Sequence, residues 1–298
     1  MWIVTGLISA LFLGIYDILR KISLKDNAVI PVLFLASATG GLLFVPPVVM
    51  SLTGTLSPGD FLFIPPVTAK MHLFFFLKSV LVGTSWFLAY FAISRLPLTI
   101  VIPIRATGPT WTLLGALFIY QERFSSIQWV GIIIVLVFFY MFSLTGKEEG
   151  IRFSHNKWVL AIIAATLLGS ASSLFDKFLV GHYNRMAMQA WFSIYMIPVF
   201  LPFFLFIWYP KRHSYNAFHW SPYIHLIGIV LVLSDFLYFY ALSLPGSLIA
   251  LLAVLRRSSV IVSFVAGAII FHDHNIKRKT LTLIGILLGI VMIVLGTA

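Results

Sequence analysis

The sequence contains no cysteine and few charged residues. Of its 298 residues none is cysteine, and only 10% are charged. The first absence excludes disulfide bonds and thiolate metal sites. The second excludes a soluble enzyme, because a soluble domain carries about 25% charged residues. Acidic residues are the scarcest class, with 9 Asp and Glu against 20 Lys and Arg, so the net charge is +11.

The chain is instead rich in apolar residues. Hydrophobic residues make up 60% of it and aromatic residues 16%, and the mean hydropathy is +1.03. A disordered chain is poor in both classes, so disorder is excluded. In a soluble protein the basic surplus would point to nucleic acid. Here the basic residues lie mostly at the ends of apolar stretches, where they anchor against phospholipid headgroups. The composition therefore predicts a protein whose partner is the lipid bilayer and not nucleic acid.

Long stretches without charge predict the membrane spans. A membrane-spanning helix needs roughly 20 apolar residues, and these stretches are apolar on every side, unlike the alternating strands of a β-barrel. We predict an all-α integral membrane protein with ten transmembrane helices, at residues 2–22, 28–52, 72–95, 97–120, 126–145, 157–180, 186–209, 221–243, 246–271 and 279–297.

A weak internal repeat divides the chain into two halves. The block Tyr90–Ser94 (YFAIS) resembles Phe239–Ser243 (FYALS), and a proline follows each block. In both halves an arginine, Arg105 or Arg256, precedes an acidic residue by 17 positions. Each half holds five helices, an odd number, so the halves must cross the membrane in opposite senses, as in many secondary transporters. We predict inverted five-helix repeats at 1–146 and 157–298, joined by a linker at 147–156.

These features resemble a known family. The five-plus-five layout, the YFAIS block before a helix opened by proline, and Tyr120–Phe124 (YQERF) at the end of the fourth helix are similar to the drug/metabolite transporter superfamily, EamA type. The resemblance implies a central cavity lined by helices 1–4 and 6–9, with helices 5 and 10 at the periphery. It also implies a secondary transporter of the bacterial cytoplasmic (inner) membrane, a permease or exporter and not an enzyme. Such a protein moves a small organic metabolite by alternating access.

Five charged residues fall well inside the predicted spans: Lys78, Arg105, Asp235, Arg256 and Arg257. Asp17, Asp176 and Lys177 lie nearer the helix ends, where they could reach headgroups. A lipid-facing charge at the midplane costs about 2.5–3.5 kcal/mol, so the first five residues are expected to face the interior of the bundle. Together these five leave a surplus of three positive charges, and arginine binds carboxylate or phosphate through its fork of N–H groups. We predict that Lys78, Arg105, Asp235 and Arg256 bind a carboxylate-bearing or amino-acid-like solute, and that Asp235 is the candidate for proton coupling.

Aromatic residues near these charges are predicted to form the wall of the substrate site, because ring faces stack on organic solutes and hold cations. They are Trp86, Tyr90, Trp111 and Tyr238. Ordinary packing or an interfacial aromatic belt is the alternative. For the charged residues the alternatives are arginines that satisfy free helix-end carbonyls and an Asp235 that forms a fixed ion pair.

Two other functions stay open from the sequence. A flippase for a phosphate-bearing lipid would use the same fold and the same arginines. An intramembrane lipid-modifying enzyme is less favoured, since the chain has neither an HExxH motif nor a cysteine nucleophile. The cluster His272–His274 is too closely spaced for its three side chains to face one ion on a helix, so we expect no metal and no cofactor.

Two features concern assembly and orientation. Gly285 and Gly289 form a GxxxG motif in helix 10, which permits either close packing within one chain or a homodimer. When Lys78, Arg105, Arg256 and Arg257 are left out, twelve Lys and Arg residues lie on the side opposite the termini and four on the side of the termini. This count places both termini outside the cell, whereas members of the family usually keep them in the cytoplasm.

Overall fold

The computed structural model describes residues 1–93, 95–96, 104–105, 107–144, 156–212, 217–259, 261–262 and 276–296. Within these residues the regular structure is helical, and no strand is present. The α-helices are α1 (Trp2–Leu24), α2 (Val29–Leu42), α3 (Val45–Leu52), α4 (Ala69–Ile93), α5 (Gly108–Ile119), α6 (Ser126–Leu144), α7 (Lys157–His182), α8 (Arg185–Pro202), α9 (Pro222–Ser243), α10 (Ile249–Leu255) and α11 (Ile276–Leu295).

Length and hydropathy identify the segments that can cross a membrane. Among the described residues, six helical segments are long and apolar enough: Trp2–Leu24, Val29–Leu52, Ala69–Ala92, Lys157–His182, Arg185–Lys211 and Pro222–Ser243. Shorter apolar helices occupy Gly108–Ile119, Ser126–Met141 and Leu281–Leu295, within the predicted fourth, fifth and tenth spans. The predicted total of ten spans therefore stays a prediction.

Polar caps set where several helices of the second half begin. The side chain of Asn156 accepts a hydrogen bond from the amide of Trp158 at the start of α7. Asn184 accepts from two amides at the start of α8. Ser221 caps α9, whose first residue is a proline. These side chains satisfy amides that have no partner within their own helix.

Three predicted helices are interrupted, which corrects the expectation of single continuous helices. The predicted helix at 28–52 is two helices, α2 and α3, with Pro46 and Pro47 in the first turn of α3. The predicted helix at 186–209 changes to a π turn at Phe203–Trp208, directly after Pro202, because proline cannot donate the α-helical hydrogen bond. The predicted helix at 246–271 begins at Ile249 and tightens to a 3-10 turn at Arg256–Ser258.

Helices of the first half pack mainly against helices of the second half. Helix α1 packs along α9, and α4 packs along α7. Helices α2 and α8 pack together, as do α5 with α10 and α6 with α11. Glycines permit the closest of these approaches: a Cβ atom on Gly228 would lie 2.2 Å from the carbonyl oxygen of Ala36, and one on Gly131 would lie 2.7 Å from that of Gly289.

Candidate functional site: a cavity lined by guanidinium groups

A cavity of about 180 Å³ lies between the two halves. At about 30 Å³ per water molecule, this is room for roughly six waters or a small solute. The first half contributes α1, α4 and α5, and the second half contributes α7, α9, α10 and the 3-10 turn. The residues that line it are Leu13, Ser85, Trp86, Ala89, Arg105, Gly108, Thr112, Ala165, Thr166, Gly169, Ser170, Ser173, Tyr238, Ala253, Arg256 and Arg257.

Arg256 and Asp235 form an ion pair at the edge of the cavity. The guanidinium Nη2 of Arg256 lies 3.2 Å from Oδ1 of Asp235 and 3.5 Å from Oγ of Ser234. The guanidinium carbon also lies 4.3 Å from the ring centroid of Tyr238, a cation–π distance. Arg256 is therefore neutralised by Asp235 and held over an aromatic face.

Arg105 and Arg257 line the same cavity without such a partner. Among the described residues, none of the four ion pairs includes either arginine. Arg257 interacts electrostatically with Arg105, Arg256 and Asp17, while Asp17 is itself paired with Arg20 at 2.8 Å. The cavity therefore carries two positive charges that no carboxylate of the described residues contacts directly.

The Nε atoms of two guanidinium groups are buried and have no hydrogen-bond partner among the described residues. They belong to Arg256 and Arg257. A buried donor without a partner is costly, typically about 1–3 kcal/mol and more for a charged group. Both Nε atoms are shielded from solvent in this conformation, so the fold carries this cost as it stands.

Lys78 lies outside this cavity, although the sequence grouped it with the arginines. Its ammonium group forms an ion pair with Asp176 of α7, and the two residues are only 2% and 5% exposed. The ammonium also lies 4.4 Å from the ring centroid of Phe192. Tyr238, which lines the cavity, interacts electrostatically with Asp176. Lys78 is therefore part of a buried link between the two halves, one layer away from the cavity.

A second ion pair connects the halves beside the first. Glu122, which follows α5, pairs with Lys177, the neighbour of Asp176 on α7. Its carboxylate also accepts hydrogen bonds from the amides of Ile249 at 2.8 Å and Ala250 at 3.2 Å. The residue is only 5% exposed, and its carboxylate caps the first turn of α10.

The four predicted aromatic residues occupy different places. Tyr238 and Trp86 line the cavity, and Trp86 also borders two smaller neighbouring cavities. Tyr90 lines one of those smaller cavities together with Tyr16 and Arg20. Trp111 is 45% exposed, is not among the lining residues, and donates its indole N–H to the hydroxyl of Thr107. The structure thus brings Trp86 and Tyr238 to the arginines, and not Trp111.

The GxxxG motif of helix 10 is occupied within the chain. A Cβ atom on Gly285 would lie 2.2 Å from the ring of Phe138, and one on Gly289 would lie 2.6 Å from a methyl group of Val135. Both neighbours belong to α6, so the face expected as a possible homodimer contact is covered by the chain's own helix. The cluster His272–His274 lies outside the described residues. Within the described residues no group of three metal-ligating side chains is present.

Sequence reasoning missed the hydroxyl groups of the cavity. Thr166, Ser170 and Ser173 project into it from α7, and Ser85 and Thr112 project from α4 and α5. Their spacing on α7, at intervals of four and three residues, places them on one helical face and was the available signal. The three residues were missed because they are neutral and candidate site residues in the spans were selected mainly by charge.

Comparison with known proteins identifies the first half of the chain. Residues 1–144 match the EamA-like transporter family. This match covers 144 of the 298 residues. The resemblance inferred from the sequence is confirmed over these residues, and together with the apolar helices the match indicates an integral, multi-pass membrane protein similar to transporters.

The EamA-like match ends at residue 144, but a likeness in structure extends over both halves. No curated protein matches the chain, whereas 28 chains of solved structures do. One of these, described as "Crystal structure of protein", is 13% identical in sequence, with a TM-score of 0.72. The alignment covers 99% of this chain and 98% of that one. At this identity the likeness shows a shared fold.

Proposed function

We propose that this protein is a secondary transporter that moves a small organic anion across the membrane by alternating access. The observation that carries the proposal is the cavity between the halves, lined by Arg105, Arg256 and Arg257. Of these three arginines, only Arg256 is paired with a carboxylate of the described residues. Arg105 and Arg257 favour an anionic ligand, because arginine makes charge-assisted, often bidentate hydrogen bonds to an oxyanion.

The proposal includes ten spans arranged as two inverted five-helix repeats. A twofold operation that exchanges the halves would exchange α1 with α7 and α4 with α9, so the α1–α9 contact would become the α7–α4 contact. Both contacts are extensive. Matching hydrogen bonds support this relation: Ser234 donates to the carbonyl of Ser9 at 2.9 Å, and Ser85, 149 positions before Ser234, donates to that of Ala165 at 2.7 Å.

The pairing of the remaining helices fits the same operation. The twofold operation would also relate three further pairs of helices, and the two members of each pair are in contact with each other. These pairs are α2 with α8, α5 with α10, and α6 with α11. Transporters with inverted repeats bind substrate near the repeat interface and expose it alternately by rocking one repeat against the other. The cavity lies at such an interface.

Two adjacent ion pairs are suited to closing one side of the cavity. Lys78 pairs with Asp176, and Glu122 pairs with Lys177, so each half contributes one acid and one base. On α7 both partners lie beyond the last cavity residue, Ser173. An opening on this side would require both pairs to separate, and they would form again when the cavity faces the other way.

The test is uptake by purified protein in liposomes. Labelled organic anions, amino acids and nucleosides are offered in counterflow, and the wild type is compared with Arg105→Gln and Arg257→Gln. We expect uptake of an anion that falls at least tenfold in both variants. Arg212→Gln, which changes an exposed arginine outside the cavity, is the matched control and should transport normally. Unchanged anion uptake by both cavity variants, with normal folding, would refute the proposal.

The same liposomes separate transport of a soluble anion from lipid flipping. A fluorescent lipid that carries a phosphate headgroup is incorporated, and its movement between leaflets is followed by chemical quenching of the outer leaflet. We expect no acceleration, since the cavity has room for roughly six waters and a free anion needs no acyl tail. Flipping that depends on Arg105 and Arg257, without uptake of any soluble anion, would replace our proposal with a flippase.

A further inference from the structure

We propose that the anion is a small polyhydroxylated carboxylate, held by the arginines through its carboxylate and by serine and threonine oxygens through its hydroxyl groups. This inference rests on the proposed function and specifies its substrate. It follows from the direction of the hydrogen bonds around the cavity, which determines whether each wall presents donors or acceptors to a ligand.

Each of the five serine and threonine hydroxyls that line the cavity donates its single hydrogen to a backbone carbonyl. Thr166 donates to Ile162 at 2.8 Å, and Ser170 donates to Gly108 at 2.9 Å. The other three bonds are Ser85 to Ala165 at 2.7 Å, Ser173 to Gly169 at 3.2 Å and Thr112 to Gly108 at 3.4 Å. A carbonyl oxygen can only accept, so the direction of each bond is certain. Toward the cavity these hydroxyls therefore present lone pairs, which accept hydrogen bonds from a ligand.

The guanidinium groups present the opposite chemistry. Arginine has donors and no acceptor, and Arg105, Arg256 and Arg257 all line the cavity. The cavity thus offers cationic donors from residue 105 and the 3-10 turn, and neutral acceptors mainly from α7. A carboxylate satisfies the first group, and O–H donors on the same molecule satisfy the second.

The net charge of the cavity argues against an amino acid as the ligand. Arg105, Arg256 and Arg257 stand against Asp235, so two positive charges remain and one persists after a monocarboxylate binds. An ammonium group in a cavity this small would lie close to that charge, and like charges at short distance repel strongly away from bulk water. Hydroxyl groups donate hydrogen bonds without this penalty, so a hydroxy acid fits the cavity better than the corresponding amino acid.

The experiment compares acids that share one carbon skeleton. Binding of glycerate, propionate and serine, and of threonate and butyrate, is measured by titration calorimetry on the full-length protein in detergent. We expect the hydroxylated acid of at least one pair to bind at least tenfold more tightly than its deoxy counterpart. Serine, which has an ammonium in place of one hydroxyl of glycerate, should bind more weakly than glycerate.

A threonine-to-valine change tests the acceptor role directly. Thr166→Val keeps the shape of the side chain and removes an oxygen whose hydrogen bond stays within α7, so no contact between helices is lost. The preference for the hydroxylated acid should fall at least threefold. Thr5→Val is the matched control, because Thr5 also bonds to carbonyls of its own helix region but lies outside the cavity. It should leave the preference unchanged.

The outcomes separate the two proposals. Binding of acids that depends on Arg105 and Arg257, with no preference for hydroxyl groups, would overturn this inference and leave the proposed function standing. A preference that persists unchanged in Thr166→Val, or serine binding as tightly as glycerate, would also overturn the inference. Acid binding that is unchanged in Arg105→Gln and Arg257→Gln would overturn the proposed function itself.

Discussion

Breaking the ion pair between Lys78 and Asp176 should destabilise the fold far more than removing both charges together. The two side chains are 2% and 5% exposed, so each charge depends on the other for solvation. Removing one partner of a buried pair costs about 3–5 kcal/mol, because the remaining charge stays buried without compensation. Replacing both partners with groups of similar volume that are not charged is often close to neutral.

The surroundings of the pair set the size of the effect. In Lys78→Met the remaining Asp176 carboxylate keeps its favourable electrostatic interaction with Arg256. In Asp176→Asn the remaining ammonium keeps the ring faces of Phe192 and Phe239, with centroids at 4.4 Å and 5.3 Å. Because of these remaining interactions, we expect each single variant to lose about 3 kcal/mol of unfolding free energy, the lower end of the range.

Thermal stability in detergent, read by size-exclusion chromatography after heating at one fixed rate, measures this loss. At about 2–4 °C per kcal/mol, each single variant should melt roughly 6–12 °C below the wild type. The double variant Lys78→Met with Asp176→Asn should recover at least half of that shift. Asp17→Asn, in the more exposed pair with Arg20, is the control, with an expected loss below about 1 kcal/mol. Single variants that match the wild type, or a double variant whose shift equals the sum of the two, would refute the reasoning.

Three further predictions use the same protein. Glu122→Ala should lower the melting temperature more than Glu122→Gln, because glutamine keeps one oxygen for the amides that begin α10; equal shifts would exclude the capping role. Gly228→Ala should lower the free energy of unfolding by about 1–3 kcal/mol or more, since its Cβ would lie 2.2 Å from a carbonyl oxygen of α2. In the control Gly181→Ala the new Cβ has nothing within 4 Å, so this variant should be as stable as the wild type or slightly more stable. Asp235→Asn should abolish the response of anion uptake to a pH gradient while it keeps a hydrogen-bond acceptor for Arg256; uptake that stays fully sensitive to the gradient would show that Asp235 does not couple protons.

The helical, membrane-spanning character was predictable because it depends on local composition. Long apolar stretches such as Trp2–Leu24 and Pro222–Ser243 have the length that a bilayer requires, and they are helices in the structure. The family was also predictable for the first half, from a few motifs in a fixed order. The breaks within the predicted helices at 28–52 and 186–209 were harder to place, because prolines within a helix of a membrane protein are tolerated in some contexts and interrupt it in others.

The site was predicted in part. The rule that a charge within the membrane faces the interior correctly brought Arg105 and Arg256 to one cavity. It did not separate them from Lys78, which pairs with Asp176 of the other half. It also missed the acceptor hydroxyls of α7, which are neutral and therefore carry no charge signal.

The sequence by itself determined that the chain is helical, belongs in a bilayer, and must direct its few intramembrane charges inward, because the cost of transfer into lipid is a property of each residue. Only the tertiary structure decided which charges neutralise each other and which line the cavity without a carboxylate partner among the described residues. Pairing depends on the rotation and approach of helices far apart in the chain, such as α4 and α7, and that geometry is set by the packing of small residues and the positions of helix breaks. Glu122 illustrates the difference: at the end of an apolar stretch it reads as a surface charge, yet in the fold it is buried against the first amides of α10.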